Sequence, residues 1–211
     1  PLTPRHSTCF SLQRRDRLLK PPAGLAVAAL IFLAFGVDAA RAEGSRDKTW
    51  EGKRAPPFSA RDLNGKNFRL ADFAGQKVVW LNFWGLRCGP CVQELPALQR
   101  LSAKYAPKGL VVIGVNTDGV DSAAIRKQFA DRSDLKAAGI TFPLVTDQEF
   151  KIIDAYELLG APLNVIIDKK GVIRYRHEGY EEGDEAAYAK VVQRCLAQEP
   201  ILRTRSRTRR K

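Results

Sequence analysis

Two cysteines three residues apart, Cys88 and Cys91, are the side chains of this sequence best suited to chemistry. They follow an apolar run over residues 78–84 and precede a helical pattern, which predicts that they lie at the mouth of a helix. Side chains at this spacing share one helix face, so their sulfurs can form and break a disulfide with little backbone movement. The unpaired amides and the positive dipole end of a helix start favour a thiolate at Cys88. Pro90 fits such a first turn, and the whole pattern predicts a redox-active dithiol.

Half of a zinc site is the alternative interpretation of the same pair. A structural zinc ion takes four ligands and would need a second pair of cysteines or histidines. Cys9 and Cys195 each stand alone in the sequence, and His6 and His177 are the only histidines. The redox interpretation is therefore preferred, and no metal or other cofactor is expected. We expect Cys195 to be a buried hydrophobic side chain and His177 to lie on the surface of a hairpin.

The net charge of +12 is concentrated at the two ends of the sequence. Residues 1–42 contain six Lys/Arg and two Asp/Glu, and residues 203–211 contain six basic residues and no acid. The body of the chain is consequently close to neutral, which argues against a nucleic-acid-binding domain. Residues 200–211 are expected to form a basic disordered tail with no specific partner, although such a tail could touch anionic lipid or nucleic acid.

Residues 1–42 have the pattern of a signal peptide or membrane anchor. A basic region over residues 14–20 precedes an uncharged run over residues 23–37, and residues 40–42 (Ala-Arg-Ala) supply a small-x-small cleavage site. The run is short for a membrane span, which needs about 20 residues. We expect export by the general or the twin-arginine route, followed by cleavage near Glu43. The alternative is that the segment stays uncleaved as an anchor, which would then be the only membrane contact of the protein. Export implies an oxidising compartment, the periplasm or the outer face of the cytoplasmic membrane.

Hydrophobic periodicity predicts a linker over residues 43–54 and one α/β domain over residues 55–199. A turn at residues 62–66 predicts an opening hairpin. The first long helix carries Pro96, which is expected to kink it one turn after Cys91. The predicted strands cover residues 78–83, 110–115, 142–145, 163–167 and 172–176, and the predicted helices cover residues 90–105, 121–138, 147–158 and 184–197.

Six short motifs lie along residues 52–198. They are Ala55-Pro56-x-Phe58, Asn82-Phe83-Trp84-Gly85, Cys88-x-x-Cys91-x-x-Glu94-x-Pro96, Gly114-Val115-Asn116, Gly160-Ala161-Pro162 and Ile167-Asp168-x-x-Gly171-x-Ile173. In combination these motifs resemble the exported thioredoxin-fold proteins of the TlpA, ResA and CcmG (DsbE) type, within the AhpC/TSA-type redoxins. The resemblance implies a thioredoxin fold, with a central mixed β-sheet flanked by helices and an N-terminal β-hairpin extension.

The resemblance implies a role for each site residue. Cys88 is expected to be the attacking thiolate and Cys91 the resolving thiol. Pro162 is expected to be cis, which would expose the backbone of Ala161 for strand-like pairing with a substrate segment. Glu94 stands where family members place an acid near the active site, and it could raise thiol pKa values or relay a proton. A solvated glutamate on the helix face is the alternative.

Two residues of the apolar run bear on the same site. Trp84 is expected to pack beside the dithiol and to contribute to substrate binding, with a plain core aromatic as the alternative. Asn82 occupies the place where thioredoxins carry a buried acid. With an amide there, Glu94 or water is the expected proton acceptor.

Two positions depart from the family pattern. Arg87 precedes Cys88, where an aromatic or small residue is usual; its guanidinium would favour the thiolate and attract acidic substrates. A solvent-facing side chain with a mild field effect is the alternative. Leu163 follows Pro162, where Thr or Glu is common, and this leaves the substrate preference open. We expect both departures to flank the substrate surface.

The predicted function is that of an exported thiol–disulfide oxidoreductase that reduces protein disulfides. The resemblance implies a membrane electron donor of the CcdA/DsbD type, and substrates such as the cysteines of apocytochrome c or of an oxidase assembly factor. A peroxide reductase is a weaker alternative, since it would need Thr or Ser where Gly85 stands. A non-enzymatic copper-binding module is another, but it would use cysteines four apart and a late histidine unlike His177.

Overall fold

A computed structural model describes residues 50–197. The export signal, the basic tail and most of the linker that the sequence predicts lie outside the described residues. The described part opens with an antiparallel hairpin of β1 (Ser59–Arg61) and β2 (Asn67–Arg69). The Asp62 carboxylate closes its turn, because Oδ1 accepts backbone N–H groups two and four residues further on, at 2.9 and 2.8 Å. The predicted hairpin extension is confirmed.

Five strands form the central sheet, and their bounds are β3 (Val78–Trp84), β4 (Leu110–Asn116), β5 (Leu144–Thr146), β6 (Leu163–Ile167) and β7 (Ile173–Glu178). Their order is β5-β4-β3-β6-β7. The first three are mutually parallel, whereas β6 runs antiparallel to β3 and β7 antiparallel to β6. This is the mixed sheet of the predicted fold. Strand β3 sits at its centre and ends four residues before the dithiol.

The helices within the described residues are α1 (Gly89–Tyr105), α2 (Ser122–Asp131), α3 (Ser133–Ala137), α4 (Lys151–Ala155) and α5 (Asp184–Leu196). Helix α1 contains Pro96, as the sequence predicts. No helix of residues 50–197 combines the length and the apolar character that crossing a membrane requires.

Two predicted helices differ from the structure in extent. The helix predicted over residues 121–138 breaks at Arg132, whose backbone is extended, so that α2 and α3 are separate. The helix predicted over residues 147–158 shrinks to α4. The Asp147 carboxylate accepts the N–H groups of Ile152 and Ile153 in the first turn of α4, both at 2.8 Å. Phe150, the residue before α4, has a left-handed backbone with φ 56°. Local side-chain caps therefore override the apolar periodicity here.

Residues 50–54, part of the predicted linker, are packed against the domain. Trp50 is buried and stacks on Tyr156, with ring centroids 6.3 Å apart. The backbone of Gly52 and Lys53 exchanges hydrogen bonds of 2.8 and 2.9 Å with Ile173 at the start of β7. The linker prediction is wrong for these residues, because a single tryptophan can anchor a segment that has no periodic pattern.

Both faces of the sheet are covered. All side chains of β3 are buried and alternate between the two faces. One face, with Val78, Trp80 and Trp84, packs against α1 and α5. The other, with Leu81 and Phe83, packs in a second cluster together with the N-terminal segment and the hairpin. This packing fixes β3 and α1 as rigid supports on either side of the dithiol loop.

Candidate active site

Cys88 and Cys91 form a disulfide at the start of α1, with their Cα atoms 5.2 Å apart. Cys88 is the N-cap of the helix, and its Sγ accepts a hydrogen bond of 3.2 Å from the Cys91 N–H. Cys88 is half-buried, whereas Cys91 is only 1% exposed. A substrate can therefore reach the sulfur of Cys88, while that of Cys91 lies behind it.

The loop before β6 lies beside the half-buried Cys88. The peptide bond between Ala161 and Pro162 is cis, as predicted. The carbonyl oxygen of Ala161 lies 3.4 Å from Cys88 Sγ. The Pro162 carbonyl accepts the N–H of Gly179 at 2.7 Å, which ties the loop to the end of β7. The backbone of Ala161 is thus placed where a segment bound at Cys88 would pass. Arg87 is exposed on the chain just before Cys88.

Glu94 is fully buried, which excludes the solvated alternative. It lies three residues after Cys91 on the same helix, so that the two side chains share a face. Its Oε2 accepts a hydrogen bond from Asn82 Nδ2 at 2.9 Å, and its Oε1 accepts one from Asn164 Nδ2 at 2.6 Å. The hydroxyl of Tyr188 belongs to the same cluster, because it accepts a hydrogen bond from Asn164 Nδ2 at 3.4 Å. The carboxyl group is therefore held in a fully protein-lined polar cluster.

Burial raises the pKa of Glu94 from 4.5 to about 7, since a charged carboxylate loses its hydration inside the protein. The hydrogen bonds from Asn164, Tyr188 and Asn82 act in the opposite direction, and the nearby charge of Asp184 adds to the rise. Near neutral pH the carboxyl group therefore populates both its charged and its neutral form. This is the range in which a group exchanges protons most effectively.

The Oδ1 of Asn82 is buried and has no hydrogen-bond partner among the described residues. Rotation of the Asn82 amide would present this oxygen to a protonated Glu94. An amide can thus donate to the carboxylate and accept from the carboxylic acid, which a second acid at this position could not do without repulsion.

Asn164 and Tyr188 are site residues that the sequence analysis missed. Asn164 also accepts a hydrogen bond of 2.9 Å from Trp80 Nε1, so it links the strands to the Glu94 cluster. A polar residue inside the apolar strand that follows Pro162 is a signal that could have found it. Nothing in the sequence pattern marks Tyr188, because a tyrosine on an apolar helix face is usually a core residue.

Two predicted contributors to the substrate surface are placed elsewhere. Trp84 is fully buried in the same core cluster as Cys91 and meets Phe129 edge-on, with ring centroids 5.8 Å apart. Leu163 is also fully buried, in the cluster on the opposite face of the sheet. Neither side chain can touch a substrate from these positions, so Trp84 is a core aromatic and Leu163 does not flank the surface. The alternation of side chains along β6 turns Leu163 away from the dithiol.

Cys195 and His177 lie away from the dithiol. Cys195 is buried, as predicted, and burial raises the pKa of its thiol to about 11, which makes it unreactive. His177 lies on β7, about a third exposed, with Nε2 3.3 Å from an Asp184 carboxylate oxygen. Within residues 50–197 no three His, Cys, Asp or Glu side chains are grouped as a metal site would need.

A family model for the AhpC/TSA family matches residues 52–176, which is more than half of the sequence. The chain belongs to the AhpC/TSA family. Among the proteins that the chain is similar to is the thiol-disulfide oxidoreductase ResA of Bacillus thuringiensis subsp. konkukian, 38% identical over 64% of this chain and 73% of the relative. The thioredoxin-like protein YneN of Bacillus subtilis is 42% identical over 61% of this chain and 72% of its own length.

Two solved structures show the same fold. A Chlorobium tepidum protein assigned as the thiol:disulfide interchange protein DsbE has a TM-score of 0.61 at 29% identity, over 69% of this chain and 97% of that one. The thioredoxin domain of a Bacteroides vulgatus thiol-disulfide oxidoreductase shares the fold with a TM-score of 0.57 at 24% identity, over 69% of this chain and 97% of that domain. The predicted thioredoxin fold and thiol–disulfide oxidoreductase chemistry are confirmed.

Proposed function

We propose that this protein is an exported reductase of protein disulfides. One observation carries the proposal: an accessible sulfur, Cys88, stands over a buried sulfur, Cys91, which shares its helix face with a carboxyl group, Glu94, whose pKa lies near 7. A nucleophile must be reachable, whereas a resolving thiol needs only its partner sulfur and a proton acceptor. The three residues satisfy these separate demands.

The reaction starts from the reduced dithiol. The Cys88 thiolate attacks one sulfur of a substrate disulfide; a bond forms between Cys88 and that sulfur, and the other substrate sulfur leaves as a thiolate. The Cys91 thiol then gives its proton to the Glu94 carboxylate and attacks Cys88 Sγ, which releases the second substrate thiolate. Two electrons have passed to the substrate, and the protein is left with the Cys88–Cys91 disulfide that the structure contains.

Backbone pairing supplies the binding of the substrate in this proposal. Ala161 offers its carbonyl oxygen beside Cys88, at 3.4 Å from Sγ. An extended substrate segment could add to this backbone as a strand. The exposed guanidinium of Arg87 would then favour substrates with acidic residues next to the disulfide.

The direction of electron flow follows from the dithiol sequence and the proposed location. Cys-Gly-Pro-Cys is the thioredoxin sequence, whose potential of about −270 mV lies at the reducing end of the range. The signal pattern of residues 1–42 supports export to the periplasm or the outer face of the cytoplasmic membrane. In that oxidising compartment the protein would need a membrane electron donor, of the CcdA/DsbD type by resemblance. Cysteines of apocytochrome c or of an oxidase assembly factor are the proposed substrates.

Insulin-disulfide reduction with dithiothreitol as the donor, together with the dithiol potential measured in glutathione buffers, tests this proposal. We expect the protein to reduce insulin. We also expect the potential of its dithiol to lie well below the value of about −120 mV that is typical of strongly oxidising dithiol proteins. Cys88→Ser should abolish the activity, whereas Cys195→Ser, which removes a buried thiol, should retain it. Activity that survives Cys88→Ser, or a potential near that of the oxidants, would contradict the proposal.

A further inference from the structure

The turn before the dithiol leaves two polar groups of Leu86 unused. The N–H of Cys88 donates to the carbonyl of Gly85 at 3.3 Å, which closes a four-residue turn with Leu86 at its first central position. The N–H and C=O of such a central residue are not part of the turn's own hydrogen bond. Leu86 is nevertheless buried, so both groups need partners from elsewhere.

An anion supplies the first partner. Oδ2 of Asp118, in the loop after β4, accepts the N–H of Leu86 at 2.7 Å. The same oxygen accepts Nδ2 of Asn116 at 2.7 Å, and Oδ1 of Asn116 accepts the N–H of Asp118 at 3.1 Å. A Cβ at Gly85 would lie only 3.1 Å from the other oxygen of Asp118, so the turn and the carboxylate are in close contact. Asp118 is therefore fixed in place before it meets the turn.

A cation supplies the second partner. The guanidinium of Arg132 donates from Nη1 to the carbonyl oxygen of Leu86. Its Nε and Nη2 donate to the carboxylate of Asp134, at 3.1 and 2.6 Å. Arg132 is the residue at which the predicted long helix breaks into α2 and α3, and its extended backbone separates the two helices. The break thus presents an arginine to the turn beside the dithiol.

We propose that Asp118 and Arg132 act as positioning residues for Cys88, by clamping Leu86 from both sides. Hydrogen bonds to charged groups are shorter and stronger than neutral ones, so the pair fixes both peptide units of Leu86. A fixed turn keeps Cys88 at the N-cap of α1, where its Sγ meets the Cys91 N–H at 3.2 Å. The inference rests on the proposed role of Cys88 as the attacking thiolate, and it adds the groups that hold that sulfur in place.

If Asp118 and Arg132 act as a clamp, the pair of variants shifts the pKa of the Cys88 thiol in a different combination of directions than if the two residues act only through their charges. If the two side chains acted only through their charges, Asp118→Asn would lower the pKa of the Cys88 thiol and Arg132→Gln would raise it. If they act as a clamp, both variants free Cys88 from the helix start and both raise that pKa, by about one unit each. The double variant should then raise the pKa of the Cys88 thiol no further than either single variant does, because each single change already releases the turn at Leu86.

The experiment measures the pH dependence of alkylation at Cys88 in the reduced full-length protein, followed by peptide mass spectrometry. Lys127→Gln and Asp131→Asn are matched controls, since they neutralise an exposed ion pair on α2 whose partners lie 2.5 Å apart and which does not touch the turn. Asp134→Asn, which loosens Arg132 without touching Leu86, should give a smaller rise in the same direction. Thermal unfolding of each variant identifies any loss of folding. If the Asp118 or the Arg132 variant does not fold, the direction of the Cys88 pKa shift in Asp134→Asn still decides between the two models.

Equal-signed rises that do not add would support the clamp. Shifts of opposite sign, shifts that add in the double variant, or an unchanged Cys88 pKa in both single variants would overturn it while leaving the proposed function intact. A wild-type protein that lacks a reactive Cys88 thiolate would instead contradict the proposed function, and the clamp with it.

Discussion

The two sulfurs of the dithiol differ in access, and the difference assigns their roles. Cys88 is half-buried at the helix start, and Cys91 is almost fully covered. The sequence predicts the redox-active pair itself, because C-x-x-C at a helix start is a local pattern. The resemblance to the family predicts which cysteine attacks and which resolves. It left the state of Glu94 open, because burial of a helix face depends on α5 and β6, which are distant in the sequence.

The pKa of Glu94 near 7 leads to a kinetic prediction for Glu94→Gln. Without a carboxylate to take the Cys91 proton, release of the mixed disulfide at pH 7 should slow by about tenfold or more, since general bases contribute at least that much. The first attack by Cys88 should be unchanged. Stopped-flow measurements of the two steps, with a chromogenic aryl disulfide, separate them.

Raising the pH provides the internal check on this variant. Above the thiol pKa the Cys91 proton is lost to solvent, so the variant and the wild-type protein should converge. Glu181→Gln, at an exposed loop position, is the control for a simple change of charge. Equal slowing of both steps at every pH would mean that Glu94 serves the fold rather than proton transfer.

At the scale of elements, strand β3 and helix α1 determine where the dithiol sits, and both were predictable. Their apolar runs are long and are bounded by clear signals, so periodicity located them within one or two residues. The breaks at Arg132 and before α4 were not predictable, because single side-chain contacts decide them. The docking of Trp50 on Tyr156 escaped prediction for the same reason.

Close packing between β4 and β5 predicts the effect of Gly114→Ala. A Cβ there would stand 2.5 Å from Leu144 Cδ2 and 3.2 Å from Trp84 Nε1, so the core behind the dithiol must shift. Overpacking of this kind costs about 1–3 kcal/mol of unfolding free energy. Urea unfolding measures the loss. Gly160→Ala is the matched control, because its Cβ would meet nothing within 4 Å, and equal losses in the two variants would contradict this account.

The whole molecule couples its stability to the protonation of Glu94. Because the folded pKa of about 7 exceeds the ordinary value of 4.5, the folded protein binds more protons between these pH values than the unfolded chain. Its unfolding free energy should therefore fall as pH rises from 4.5 to 7, by on the order of 3 kcal/mol from this group. Glu94→Gln should flatten that decline. Urea unfolding at a series of pH values measures it, and parallel profiles for the two proteins would disprove the coupling.

For the molecule as a whole, the central proposal is that Cys88 attacks substrate disulfides and Cys91 releases them. Trapping in reduced protein tests it most directly, with intact insulin as the disulfide-bearing substrate and mass spectrometry of the adducts. Cys9→Ser and Cys195→Ser remove the other thiols from the background. In that background Cys91→Ser should accumulate a mixed disulfide at Cys88, whereas Cys88→Ser should accumulate none. An adduct that forms on Cys91 as readily as on Cys88 would contradict the claim.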